Sequence, residues 1–233
     1  MFGFDPVYFL FVGPAILFSL WASFYVKHTF SKYSAIPARS GMSGAEAAAR
    51  LLECAGVSGV RIERADGFLS DHYNPMNRTL NLSAEVYDHC SLSAIGVACH
   101  EAGHAIQHAR RYGPLGLRSS LVPLCSIGSP LSWIIITLGF VMHGNRTLIL
   151  IGAALFSVTV LFALVTLPVE WNASARARLL MVKAGIVSPT EAEDSWCVLR
   201  AAFMTYVAAA ASAVLTLLYY LLRAGVLGGR RNE

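Results

Sequence analysis

The chain has 233 residues, of which 55% are hydrophobic and only 14% are charged, and its formal net charge at pH 7 is +4. Soluble domains usually carry about 25% charged residues, so this composition argues against a soluble globular protein. The positive charge does not indicate nucleic-acid binding, because the Lys and Arg residues cluster beside apolar stretches, where they meet lipid head groups. We therefore expect a lipid bilayer, and no nucleic acid, among the partners.

Four apolar stretches lack Asp, Glu, Lys and Arg, and they cover residues 7–26, 121–142, 148–169 and 201–222. About 20 apolar residues cross a bilayer as a helix, and a domain of this size could not bury four such helices in its core. We therefore predict an α-helical multipass membrane protein with four transmembrane helices.

Residues 1–26 are predicted to form the first transmembrane helix. The apolar run is too long for a signal peptide, and no Lys or Arg precedes it, so we expect a retained anchor. Lys27, Lys32 and Arg39 follow the helix directly. By the positive-inside rule, they predict that residues 27–120 lie in the cytoplasm.

Residues 27–120 have the pattern of a small α+β domain. Ser43 and Glu46 form a capping box that begins a helix ending at Cys54. Short strands are predicted over residues 60–64, 68–73 and 79–82, and a further helix over about residues 91–111.

The last of these helices contains the sequence His100-Glu101-Ala102-Gly103-His104. Positions i and i+4 share one face of a helix, so His100 and His104 can offer two imidazoles to one metal ion. Glu101 lies beside them, where it can reach a water molecule as a general base. His-Glu-x-x-His on a helix is typical of zinc metallopeptidases, and an apolar helix would not otherwise bury these three side chains cheaply. We therefore expect a zincin-like catalytic domain, whose edge strand would hold an extended substrate.

The remaining chain continues the membrane part. Residues 121–169 are predicted to form a transmembrane hairpin, because residues 143–146 make only a short connection. Residues 170–200 would hold the third metal ligand and a connecting helix, which leads into the fourth transmembrane helix over residues 201–222. A short basic tail over residues 223–233 follows, and its arginines favour the opposite membrane orientation.

The third zinc ligand has two candidates. His108 is four residues beyond His104, but it lies about 80° around the helix from His100, so its side chain would point away from the metal. Glu170 follows the third apolar stretch, and two membrane crossings between His104 and Glu170 return the chain to the same side. Small residues after Glu170, such as Ala173 and Ala177, would allow this helix to approach the motif helix closely. We predict Glu170 as the third ligand.

Four segments together resemble the YugP-like family of bacterial membrane neutral zinc metallopeptidases, of the gluzincin type, with a more distant similarity to HtpX-like proteases. The segments are Ser70-Asp71-His72-Tyr73-Asn74-Pro75, Leu80-Asn81-Leu82-Ser83, His100-Glu101-Ala102-Gly103-His104-Ala105-Ile106-Gln107 and Leu167-Pro168-Val169-Glu170-Trp171-Asn172-Ala173-Ser174. The family usually has Asp where this chain has Asn74 and Asn172, and Phe where it has Trp171. Asn172 can still orient a ligand by hydrogen bonding but adds no charge. The resemblance implies the bacterial plasma membrane as the location, with the catalytic site predicted on the cytoplasmic side.

The predicted function is that of a zinc metalloendopeptidase that hydrolyses membrane or membrane-proximal proteins with one zinc ion per chain. Zinc would be held by His100, His104 and Glu170, and Glu101 would be the general base for a zinc-activated water. Candidates for the oxyanion donor or for a supporting role are Arg178, His72, Tyr73 and Asn172.

Other functions remain open at this point. The chain could be a catalytically weak or inactive zinc-bound scaffold, although Glu101 would then serve no purpose. A transporter or channel is disfavoured, because the four apolar stretches contain no charged residue.

Overall fold

The computed structural model describes residues 5–67 and 70–227. In chain order, the described elements are α1 Pro6–Ser34, α2 Gly44–Cys54, β1 Arg61–Ala65, β2 His72–Asn74, β3 Thr79–Ser83, α3 Ala84–Tyr87, α4 Leu92–Ala109, α5 Gly113–Val141, α6 Arg146–Lys183 and α7 Pro189–Arg223.

Four of these helices, α1, α5, α6 and α7, are long and apolar enough to cross a membrane. Their most apolar windows have mean hydropathies of 1.8, 1.8, 2.8 and 1.9, and about a fifth or less of each window is buried inside the protein. Helices that expose so many apolar side chains need a lipid environment rather than water. The prediction of four helices with the length and composition of membrane spans is thereby confirmed.

The chain divides into two compact units, and α1, α5, α6 and α7 each run from one into the other. Of the described residues, the first unit contains 5–22, 117–167 and 205–227. Within it, α5 and α6 approach closely at two glycines. A Cβ at Gly139 would lie 2.9 Å from Ile149 Cγ1, and a Cβ at Gly152 would lie 2.3 Å from Ile136 Cγ1. The two helices therefore pack backbone to backbone, as small residues allow in membrane helix pairs.

The second unit contains the described residues 23–67, 70–116 and 168–204, and it includes the three-stranded sheet. The strand order is β1-β3-β2, with β1 parallel and β2 antiparallel to β3. The strand expected over residues 68–73 begins only at His72, and residues 68 and 69 lie outside the described part of the chain. β2 is therefore a short edge strand that pairs with β3 on one side.

The core of the second unit surrounds α4. Ile95 and Ala98 of α4 are buried with Leu51 of α2, Leu80 of β3 and Met181 of α6. Ser91 caps α4 by accepting a hydrogen bond from the Ala94 N–H, at 3.2 Å. Packing on several sides fixes the direction in which each α4 side chain points.

α6 continues through the end of the third apolar stretch without a break. Pro168 lies inside this helix, which ends only at Lys183. The predicted third ligand, Glu170, thus lies within the second half of the same helix. Likewise, the predicted connecting helix and fourth span form the single helix α7, which Ser188 begins by accepting a hydrogen bond from the Glu191 N–H.

Candidate metal centre

His100 and His104 lie one helical turn apart on α4, with ring centroids 4.8 Å apart and ring planes at 85° to each other. Their Nε2 atoms approach the same carboxylate oxygen. Glu170 Oε2, on α6, lies 3.2 Å from His100 Nε2 and 3.3 Å from His104 Nε2. The two helices therefore bring together residues separated by about seventy positions in the chain.

The three side chains have the composition and geometry of a metal site. One ligand atom from each of His100, His104 and Glu170 lies within 4.8 Å of the others, and the Glu170 side chain is only 2% exposed. Two imidazole nitrogens and one carboxylate oxygen are the donor set of many catalytic zinc sites, which keep a further position open for water. The residues present thus fit a zinc ion.

The close approach of α4 and α6 depends on Gly103. A Cβ at this position would lie 2.7 Å from the carbonyl oxygen of Ala173. Ala173 and Ala177 are fully buried on α6. The small residues expected on this face of α6 therefore lie in the interior, and Gly103 is their counterpart on α4.

Glu101 lies next to the three candidate ligands without joining them. Its Oε1 is 3.9 Å from His100 Nε2, and its Oε2 accepts a hydrogen bond from the backbone N–H of Tyr73, at 3.0 Å. Burial raises the pKa of Glu101, and the nearby imidazoles of His100 and His104 oppose this shift. A carboxylate placed in this way can accept a proton from a water molecule at the site.

The Nδ1 atoms of both histidines have hydrogen-bond partners. His100 Nδ1 lies 2.9 Å from Ser174 Oγ, and His104 Nδ1 lies 3.0 Å from Gln107 Oε1. The Nδ1 contacts orient both rings so that Nε2 faces Glu170. Partners of this kind hold metal-binding imidazoles in place in many proteins.

Asn172, on α6, has two hydrogen-bond donors around its side-chain oxygen. Its Oδ1 accepts hydrogen bonds from Gln107 Nε2, at 3.0 Å, and from Arg176 Nε, at 2.7 Å. Gln107 Nε2 also donates to the carbonyl oxygen of Val169, at 2.8 Å. Asn172 therefore helps to hold the Gln107 side chain, which meets His104 Nδ1.

Two further candidates from the sequence, Arg178 and His72, contact residues other than the three candidate ligands. Arg178 is paired with Glu193 and lies over the ring of Trp196, 5.2 Å from its centroid. The exposed ring of His72 contacts the backbone oxygen of Ser70 and the side chain of Asn81.

The side chain of Tyr73 points along α4 rather than towards the three candidate ligands. Its hydroxyl lies 2.9 Å from His108 Nδ1, while its backbone N–H contacts Glu101. His108 thus contacts β2, and it does not belong to the cluster formed by His100, His104 and Glu170.

Sequence reasoning did not identify Gln107 and Ser174 as partners of the ligands. The sequence does place each of them at helical spacing from a candidate ligand. Gln107 is three residues after His104, and Ser174 is four residues after Glu170, so each shares a helix face with a ligand. Nothing in that spacing shows which polar atom meets which imidazole.

Comparisons with known proteins show to which family the chain belongs. It is 44% identical over 215 residues to the "Putative membrane protease YugP" of Bacillus subtilis (strain 168), and the match covers 92% of this chain and 95% of that protein. No solved structure matches the chain. A family model described as "Putative neutral zinc metallopeptidase" matches residues 8–225. The chain therefore belongs to this zinc metallopeptidase family.

Proposed function

We propose that this protein is a membrane-embedded zinc metalloendopeptidase that cleaves membrane or membrane-proximal proteins. The observation that supports the proposal best is the meeting of His100, His104 and Glu170 around one buried point, with the carboxylate of Glu101 beside it. Family membership and the name of the Bacillus relative support the same reaction class. The four apolar helices support the membrane setting.

Each residue of the site has a distinct part in the proposed reaction. Zinc, when bound, would supply a Lewis acid that makes water acidic and polarises the scissile carbonyl. His100, His104 and Glu170 would hold it. Glu101 accepts a proton from the attacking water and then donates it to the leaving amine.

The outer edge of β2 is the proposed binding place for the substrate backbone. β2 pairs with β3 on one side only, and the Tyr73 N–H points away from β3 to Glu101 on α4. An extended peptide could add to this edge as a further strand beside the general base. The Tyr73 N–H would then donate to a substrate carbonyl, and Glu101 would be free to act on water.

The experiment compares the wild-type protein with Glu101→Gln, which keeps the shape of the side chain but cannot accept the proton. Purified samples are analysed for zinc, and membranes containing either form are searched for new protein termini. We expect equal zinc content in both forms and new termini only with the wild type. Bound zinc together with identical termini in the two samples would favour the inactive scaffold instead.

A further inference from the structure

We propose that Gln107 is a positioning residue that dictates which nitrogen of His104 carries the proton, and so presents its Nε2 lone pair to the metal. This inference rests on the proposed function only in assuming that a metal binds at His100, His104 and Glu170. It assigns a role to a residue outside that ligand set.

Both the oxygen and the nitrogen of the Gln107 side-chain amide have hydrogen-bond partners. The residue is fully buried, and its Oε1 lies 3.0 Å from His104 Nδ1. Its Nε2 donates to two acceptors on α6, the carbonyl oxygen of Val169 at 2.8 Å and Asn172 Oδ1 at 3.0 Å. An amide nitrogen has two hydrogens, so both are used.

Two groups with only one hydrogen-bonding role determine the orientation of this amide. The carbonyl of Val169 can only accept, so the atom of Gln107 that faces it must be the nitrogen. The guanidinium of Arg176 can only donate, so the atom of Asn172 that faces it must be oxygen. That same oxygen faces Gln107, which again requires nitrogen there. The carbonyl of Val169 and the guanidinium of Arg176 therefore require the same orientation of the Gln107 amide.

The consequence for His104 follows directly. With its nitrogen on the α6 side, Gln107 presents an oxygen to His104 Nδ1, and an oxygen can only accept. Nδ1 must therefore carry the hydrogen, and the Nε2 of the neutral ring has a free lone pair. This lone pair faces Glu170 Oε2 across 3.3 Å. Two acceptors at that distance repel each other unless a metal ion or a second ring proton lies between them, and the neutral ring is therefore oriented as a metal ligand needs.

His100 provides an internal comparison. Its Nδ1 lies 2.9 Å from Ser174 Oγ, and a hydroxyl can donate or accept. Ser174 therefore holds the ring but does not choose its tautomer. Removing the Ser174 hydroxyl should affect metal binding less than removing the Gln107 acceptor.

The test uses three substitutions in the full-length protein in detergent, with zinc alone as the probe. Gln107→Met removes the acceptor at similar volume. Gln107→Glu keeps an acceptor towards His104 but disturbs the contacts with Val169 and Asn172. Ser174→Ala is the matched control at the other histidine.

The first readout is zinc affinity, measured by competition with a chelator. We expect Gln107→Met to weaken zinc binding by about 10–100-fold, the range for loss of a partner of a ligand, with a smaller loss in Ser174→Ala. Gln107→Glu should stay close to the wild type even if its thermal stability falls. Equal losses in Gln107→Met and Gln107→Glu, or no loss in either, would overturn the inference.

The second readout needs no variant. In zinc-loaded wild-type protein with ¹⁵N-labelled histidine, the ring of His104 should show a slowly exchanging Nδ1–H and coordination through Nε2. Coordination through Nδ1 would refute the role of Gln107. If the wild type binds no zinc at all, the proposed function fails first, and the two failures are thus distinguishable.

Discussion

The backbone N–H of Tyr73 donates a hydrogen bond to Glu101 Oε2, at 3.0 Å, and so joins the edge strand β2 to the proposed general base. This contact brings the strand that we expect to hold the substrate next to the carboxylate that we expect to accept a proton from the attacking water. A peptide bound along β2 would therefore have its backbone within reach of the site. Because the N–H belongs to the main chain, this placement does not depend on the tyrosine side chain.

The first prediction concerns the metal ligands. Changing His100, His104 or Glu170 to Ala should each lower zinc content well below the one ion per chain expected for the wild type, because a catalytic site usually has only three protein ligands. Metal analysis of purified protein measures the effect. Glu193→Gln, a change at the exposed partner of Arg178, is the control and should keep full zinc content. Full occupancy in Glu170→Ala would remove Glu170 from the ligand set.

The second prediction concerns pH. Burial raises the pKa of Glu101, so on acidification this carboxylate takes up a proton at a higher pH than an exposed glutamate, whose pKa is about 4.3. Burial tends to lower the pKa of His104, but the carboxylates of Glu170 and Glu101 raise it overall. Protonation of either residue removes a base or a ligand, so peptidase activity should fall as the pH decreases.

The measurement is kcat/KM against pH with zinc in excess. Activity that stays level well below about pH 6, under the usual pKa of histidine, would contradict the assigned roles. A parallel zinc determination at each pH separates loss of the ligand from protonation of Glu101.

The third prediction concerns the contact between α4 and α6. Gly103→Ala places a Cβ 2.7 Å from the Ala173 carbonyl oxygen, which is backbone and cannot move away alone. Overpacking of this kind costs about 1–3 kcal/mol and outweighs the roughly 0.5–1 kcal/mol that Ala gains over Gly in a helix. Both the thermal unfolding midpoint in detergent and the zinc affinity should therefore decrease.

Gly116→Ala is the matched control for this substitution. Gly116 lies in α5, and a Cβ there meets nothing within 4 Å. It should leave stability unchanged or slightly higher. A Gly103→Ala protein as stable as the Gly116→Ala protein would show that the helices can separate without loss.

The fourth prediction concerns membrane orientation, which we propose from Lys27, Lys32 and Arg39. The site should lie on the cytoplasmic side, near the lipid head groups. In a variant without the five native cysteines, a single Cys in the 74–78 turn should resist a membrane-impermeant thiol reagent in intact cells.

A Cys in the 143–146 connection is the control and should be labelled from outside. The opposite labelling pattern would place the site outside the cell. The arginines after the fourth apolar stretch would then have been the better guide to orientation.

The sequence by itself determined the features that depend on local periodicity. His100 and His104 share a helix face because their spacing matches one turn, and the four apolar stretches are long enough to cross a bilayer whatever their neighbours. The same local rules predicted the capping box that begins α2. They were less successful for β2, because a three-residue edge strand is defined by its partner β3 rather than by its own sequence.

Only the tertiary structure decided how the site is assembled. The sequence suggested Glu170, but its contact with both histidines depends on the close approach of α4 and α6 at Gly103 and Ala173. The hydrogen bond from Gln107 to Asn172 joins residues 65 positions apart. Such contacts depend on how helices pack and on which polar atom meets which. A single sequence does not encode either of these as a local pattern, because they arise from the three-dimensional arrangement of distant segments.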